Sequence, residues 1–187
     1  MRVISGHYRG KKILQPEDKE TRPLKDLTKE SIFNIINHSN KFKIDINKSH
    51  VLDLFSGTGS FGIECLSRNA KFVIFIENYK KAVNILKKNT SSLRQNNNFQ
   101  IIEKNIFENL NFQSLNKKFD IIFLDPPYKE KRINLILLKI YKAKILNING
   151  IIIIHKHKKD DMELLEEFNI IDEKIYGISK IIFGSYL

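Results

Sequence analysis

At 187 residues the chain is long enough for one ordinary domain with an appendage and too short for two full domains. A hydrophobic content of 42% supports a real core, while no run approaches the roughly 18 apolar residues of a membrane span and the lone cysteine, Cys65, excludes an intrachain disulfide framework. The net charge of +11 points to a polyanionic partner, provided the charge is placed for one rather than scattered as solubilising lysine.

The opening Met1-Arg2-Val3-Ile4-Ser5-Gly6-His7 carries no apolar leader-like run, so a reducing, cytoplasmic setting is the expectation. Arg2, Arg9, Lys11 and Lys12 crowd the first twelve residues without an acid, and Val3-Ile4 and Ile13-Leu14 flank Gly6 and Gly10. That pattern predicts a basic β-hairpin able to meet phosphates. Residues 15–23 are polar, carry two prolines and read as a loop closed by Thr21-Arg22-Pro23. Thr28 to Ser31 opens an amphipathic helix with Ile32, Phe33, Ile35 and Ile36 on its apolar face, and residues 37–48 read as a connector.

From His50 the chain alternates strand and helix. Strands are predicted at Val51–Phe55, Phe72–Ile76, Phe99–Ile102, Asp120–Leu124 and Ile151–Ile154. Helices follow through Phe61 to Leu66, Tyr79 to Leu93 and Ile133 to Tyr141, with a helix or turn after Phe107 and Gly150 closing the connection before the fifth strand. Met162, Leu164, Leu165 and Phe168 are spaced for one more helix, and Ile170–Tyr176 and Lys180–Tyr186 for an antiparallel pair around Gly177. Alternation of this kind builds an α/β fold with a mostly parallel sheet covered on both faces.

Two places carry chemistry. Ser56-Gly57-Thr58-Gly59-Ser60-Phe61-Gly62 joins the first strand to the first helix and matches G-x-G-x-x-G, a turn that lets a ligand lie against the backbone at a helix N-terminus. By itself that turn serves NAD equally well. Asp53, inside the strand, discriminates: a buried carboxylate calls for a cationic partner such as an amino-acid ammonium, and would repel a pyrophosphate. Glu77 ends the second strand, where an acid accepts from ribose hydroxyls. Asp53, Phe55, Ser56, Gly57, Thr58, Gly59, Glu77 and Asn78, with Asn105 and Ile106 after the third strand, are thus the candidates for holding S-adenosyl-L-methionine. Asn105 is expected to accept from the adenine amino group, with Ile106 packing on the ring.

The second place is Asp125-Pro126-Pro127-Tyr128. Ile121 to Leu124 is a buried strand, and the two prolines stop it. A carboxylate, carbonyls without local amide partners and one aromatic ring remain at its end. Such a set suits a flat heterocycle bearing an exocyclic amine, and Asp125, Pro126, Pro127 and Tyr128 are the catalytic candidates. No metal is expected, because His7, His38, His50, His155 and His157 lack ligand spacing. His155 and His157 read, with Lys156, Lys158 and Lys159, as a solvated basic rim. Nor can a Ser/His/Asp set be argued.

Gly6-His7-Tyr8-Arg9-Gly10, Thr21-Arg22-Pro23, Glu30 to Ile35, Leu52 to Glu64 and Asp125-Pro126-Pro127-Tyr128 occur in that order. Taken together they resemble the RsmD family of 16S ribosomal RNA guanine-N2 methyltransferases over nearly the whole chain. The resemblance implies a class I methyltransferase (Rossmann-like) fold with a seven-stranded, mostly parallel sheet whose last strand is antiparallel. It also implies a guanine of 16S rRNA, presented in a small ribosomal subunit or assembly intermediate, and an enzyme expected to be a monomer. On this reading residues 1–46 form an RNA-contacting element with Arg2, Arg9, Lys11, Lys12 and Arg22, and residues 47–187 form the methyltransferase domain. Relatives often carry an acid near His155, so the role given to that acid is open here. Adenine-N6 methylation of DNA, a non-catalytic RNA-binding module and an NAD-dependent oxidoreductase are the rival readings.

Overall fold

The computed structural model describes residues 1–17, 24–93, 97–108, 110–160 and 163–187. After an N-terminal loop come α1 (Asp26–His38), β1 (His50–Leu54), α2 (Ser60–Ser67), β2 (Phe72–Glu77), α3 (Lys80–Ser91) and β3 (Phe99–Glu103). β4 (Phe119–Leu124), α4 (Ile133–Ala143), β5 (Leu146–His157), β6 (Phe168–Tyr176) and β7 (Ser179–Tyr186) complete it. The strands form one seven-stranded sheet in the order β3-β2-β1-β4-β5-β7-β6. Only β7 runs against the rest, inserted between β5 and β6.

Strand alternation sorts the apolar residues onto two faces. Val51, Phe75, Phe123, Ile153 and Phe183 share one cluster with α2 and with Ile32, Phe33 and Ile36 of α1. Leu52, Ile74, Ile122, Leu124 and Ile154 face the other way, against Ile133, Ile136, Leu137 and Ile140 of α4. The strands are apolar on both faces because both faces are covered, which is why they read as continuous runs.

The N-terminal loop is bound into this core. Val3 and Ile13 are buried in the first cluster, and Phe33 stacks on Phe61, which stacks in turn on Phe123 at 4.0 Å. Ile4 N and Ser5 N donate to the two oxygens of the fully buried Glu64 at 2.7 and 3.0 Å, and Tyr8 N donates to Ser67 Oγ. Lys29, also fully buried, sits 3.7 Å from Glu64 and donates to Arg2 O. Burial pulls the Lys29 ammonium below the usual lysine range, while Glu64 and Asp26 act to hold its proton on. Breaking a buried pair of this kind costs about 3–5 kcal/mol, so the loop is anchored as firmly as many core contacts.

Several expectations are corrected. The expected hairpin is minimal: the basic segment makes one antiparallel bridge, Arg2 to Lys12, with Val3 N donating to Lys11 O and Ile13 N to Met1 O. β1 stops at Leu54 because Phe55 takes φ 58°, a left-handed conformation that ends a strand. Gly150 lies inside β5, which starts at Leu146 and absorbs the extra residues as an irregularity opposite Phe119–Ile121. No helix joins β5 to β6 among the described residues. Leu164 and Leu165 pack on the second cluster from an irregular segment, and Phe168 is already in β6. Arg22, one of the RNA-contacting candidates, lies outside the described residues, as do the rest of Thr21–Pro23 and Met162.

Candidate cofactor and base site

β1 and β4 are neighbours whose onward connections leave in opposite directions, and the crevice beyond their C-terminal ends is where ligands bind in such sheets. A cavity of about 720 Å³ opens there. It is lined by Asp53, Phe55, Ser56, Gly57 and Thr58 from the first turn, Glu77 and Asn78 after β2, and Asn105 and Ile106 after β3. Asp125, Pro126, Pro127 and Tyr128 complete the same cavity from β4. Candidates separated by more than 70 positions in the chain are therefore brought together.

The turn is held from below by its own acids. Glu77 accepts from Gly57 N at 2.7 Å, Asn78 N at 2.9 Å and Tyr79 N at 2.8 Å, so one carboxylate ties the turn to the end of β2. Asp53 Oδ2 accepts from Gly62 N at 2.9 Å, capping the first turn of α2. Gly57 adopts φ 55° with open space where a Cβ would stand, so conformation alone requires glycine there. At Gly62 the reason is contact: a Cβ would lie 2.2 Å from Phe75 Cε1. Gly59 does not line the cavity; a Cβ there would meet Leu86 at 2.5 Å, so this candidate works by packing and by starting α2.

Burial pushes the Asp53 carboxyl well above the usual carboxylate range; the Gly62 amide opposes this, and the nearby Asp125 and Glu77 reinforce it. Among the described residues four acids and three bases line the cavity, and three of the acids, Asp53, Glu77 and Asp125, meet around Asp53, where a cation would relieve them. Ser56 Oγ is buried there with no hydrogen-bond partner among the described residues. These observations fit S-adenosylmethionine, whose sulfonium and ammonium are cationic, better than a dinucleotide pyrophosphate. Asn105 departs from expectation in one respect, because its Oδ1 already accepts from Phe107 N at 3.0 Å in a local turn. Phe107 in turn carries the Arg132 guanidinium 3.7 Å above its ring, and Lys139 Nζ holds its carbonyl at 2.7 Å.

At the other end, the reading of His155 as part of a solvated rim is overturned. His155 is 2% exposed, with Nδ1 2.7 Å from Asp125 Oδ1 and Nε2 2.9 Å from Ser179 Oγ. Lys156 is buried too, on the opposite face of the strand. Leu124 pairs with Ile154, so the next residues, Asp125 and His155, fall side by side; β7, running backwards, delivers Ser179 to the same edge. The signal available in the sequence was alternation: His155 continues the buried register of Ile151 and Ile153. Tyr128 meets the edges of both histidines, with centroids 4.9 Å from His157 and 6.2 Å from His155.

The N-terminal loop reaches this cavity, though none of Arg2, Arg9, Lys11 and Lys12 lines it. Arg2, Arg9 and Lys12 are exposed, while Lys11 Nζ donates to Ser92 Oγ at 2.6 Å at the end of α3. Met1 and Gln15 line the cavity, and Gln15 Nε2 donates to Thr58 Oγ1 at 2.8 Å. Asn89 joins the same parts, accepting from Leu14 N and donating to Thr58 O. Among the described residues no group of His, Cys, Asp and Glu has the arrangement of a metal site, and no helix is long and apolar enough to cross a membrane.

The family model described as "Conserved hypothetical protein 95" matches residues 1–185. The chain is 34% identical to ribosomal RNA small subunit methyltransferase D of Buchnera aphidicola subsp. Baizongia pistaciae, covering 100% of this chain and 91% of that one. With the protein of the same name from Haemophilus influenzae it shares 31% identity, over 95% and 90% of the two chains. A solved structure titled "putative methylase HI0767", also from Haemophilus influenzae, superposes with a TM-score of 0.76 at 30% identity, over 100% of this chain and 98% of that one. This chain belongs to the RsmD family, built on the class I fold of S-adenosylmethionine-dependent methyltransferases.

Proposed function

We propose that this protein transfers a methyl group from S-adenosylmethionine to the exocyclic N2 of a guanine in 16S rRNA, within a small ribosomal subunit or an assembly intermediate, acting as a cytoplasmic monomer. The observation that carries the reading is that Asp125 and Pro126, an acceptor set for an amine, share one cavity with Asp53 and Glu77. The names of the relatives, with ribosomal RNA as substrate, support it, as does the basic N-terminal loop, whose Met1 and Gln15 line the cavity.

In this mechanism Asp53 pairs with the cofactor ammonium and Glu77 accepts from its ribose, while Asn105 and Ile106 take the adenine side. The cofactor, when bound, supplies an electrophilic methyl that needs no further activation. The protein therefore contributes position and charge. Tyr128 stacks on the target base once it has left its helix. Asp125 and the Pro126 carbonyl each accept one N–H, which aims the nitrogen lone pair. Positive charge would grow on N2 as it takes the methyl that the cofactor's sulfur would release. Asp125 stabilises that charge and then takes one of the two protons, leaving a neutral secondary amine. Residues 1–46, with Arg2, Arg9, Lys11, Lys12 and Arg22, hold rRNA phosphates, and residues 47–187 carry the chemistry.

The test is to incubate the protein with labelled S-adenosylmethionine and small-subunit particles from cells lacking the gene, then digest the rRNA and separate its nucleosides. Label in N2-methylguanosine is the expected result. Label only in N6-methyladenosine, or transfer to DNA in preference to particles, would contradict the reading.

A further inference from the structure

We propose that Arg132 is a stacking platform for a base of the rRNA strand next to the target guanine, held ready by Phe107 and Glu130 at the lip of the cavity. This deepens the proposed function above and rests on it. The chain leaves Tyr128 through a turn in which Glu130 N donates to Pro127 O at 2.8 Å. Arg132 then lays its guanidinium 3.7 Å above the Phe107 ring. Glu130 grips one edge of the same group, accepting from Nε and from Nη2 at 2.8 Å each. Phe107 is fixed in its turn, with its N–H on Asn105 Oδ1 and its carbonyl on Lys139 Nζ. All three residues, Phe107, Glu130 and Arg132, line the cavity. The Arg132 side chain is still 57% exposed, so its second face and its far edge are left for a ligand.

Charge decides between a base and a phosphate. An arginine that serves a phosphate offers an uncompensated charge, and the release of counterions drives the contact. Here Glu130 already compensates that charge, and Arg132 in return holds the Glu130 carboxyl below the usual carboxylate range. A phosphate arriving at the far edge would meet the Glu130 charge as well. A base meets no such obstacle, because nucleobases stack on guanidinium planes, and this plane is oriented before the ligand arrives. Position decides between the RNA and the cofactor. Arg132 stands four residues beyond Tyr128 on one loop, within about 14 Å along the chain. A strand that offers its target base to Tyr128 therefore brings a neighbouring base within reach of Arg132. The cofactor is itself a cation and is drawn instead to Asp53 and Glu77, on β1 and β2.

The test measures binding to small-subunit particles from cells lacking the gene, across a range of salt concentrations. Each variant is measured far below its melting temperature, so that only folded protein is compared. Arg132→Ala and Arg132→Lys should both bind the particles about 5- to 30-fold more weakly than the wild type, because stacking needs the plane and lysine supplies only the charge. The log–log slope of affinity against salt should stay as it is in both. Calorimetry with S-adenosylmethionine should find cofactor affinity almost unchanged. Wild-type binding by Arg132→Lys would show that charge alone matters. A flatter salt slope in Arg132→Ala would make the partner a phosphate, and an equal loss of cofactor affinity would make it the cofactor's adenine. Each of these three results would overturn the proposal. Particle binding that depends on the Arg132 plane, without any N2-methylguanosine formed by the wild type, would refute the substrate reading and leave the platform standing. Methylation of guanine N2 with wild-type particle binding in Arg132→Ala would refute the platform and leave the substrate reading standing.

Discussion

The two ends of the cavity are built on different principles. At the proposed cofactor end the acids hold the backbone: Glu77 takes three amides and Asp53 caps α2, so these carboxylates shape the turn in addition to the ligand contacts proposed for them. At the base end side chains hold side chains, with Asp125 on His155, His155 on Ser179, and Tyr128 against His157. A substitution at the first end should disturb stability and affinity together. At the second it should disturb chemistry and leave the fold alone. The difference follows from what each end must do. A cofactor must be gripped along its length, whereas an amine needs only one atom aimed.

The largest expected effect is at the base end. Asp125→Asn keeps the volume but gives up the negative charge, and single-turnover methylation should drop on the order of 10²–10³-fold, the cost of one preorganised electrostatic contact. Calorimetry should find cofactor affinity almost unchanged in the same variant. A large loss of affinity there would erase the distinction between the ends.

Asp53→Ala should do the reverse, weakening cofactor binding by about 1.5–3 kcal/mol through loss of a charge-assisted bond and lowering the melting temperature through loss of the α2 cap. Its pH signature is separate. Because burial raises the Asp53 carboxyl above the ordinary range, the group takes up a proton at milder acidity than an exposed aspartate. Cofactor affinity should thus begin to fall with falling pH above the usual carboxylate range. In the free protein, ionising Asp53 removes stability as pH rises from the unfolded-state value through the raised one. Titrating affinity against pH in the wild type and in Asp53→Asn checks both, since the variant should show no such limb.

Smaller effects are expected where the site meets RNA. Tyr128→Ala should cost about 1–3 kcal/mol of substrate capture if the ring stacks on a base, appearing in the apparent affinity for particles. Replacing Arg9 and Lys12 with serine should flatten the dependence of RNA affinity on salt by somewhat less than one unit of log–log slope per charge. No change in slope would show that these exposed cations face away from the substrate.

Much of this arrangement was legible in the chain. Buried runs such as Phe72–Ile76 and Ile121–Leu124 announced strands covered on both sides, and the glycine turn lay where strand meets helix. Asp53 could be named because a carboxylate inside an apolar strand is costly without a purpose, Glu77 because it ends the next strand, and Asp125 because two prolines and an aromatic ring follow it. What was hidden depended on register and on partners distant in sequence. His155 sits among lysines, and only its pairing beside Asp125 turns it inward. Leu164 and Leu165 have helical spacing, yet they pack on the second cluster from an irregular segment. The loop at the N-terminus read as an appendage because nothing local shows that Glu64 accepts from Ile4 and Ser5.

The central claim, a guanine amine in ribosomal RNA as the methyl acceptor, is tested most directly in cells. Mass spectrometry of 16S rRNA fragments should find an N2-methylguanosine that disappears when the gene is deleted, returns with the wild-type gene and stays absent with Asp125→Asn. An unchanged set of rRNA methyl groups in the deletion strain, or full restoration by Asp125→Asn, would contradict the account.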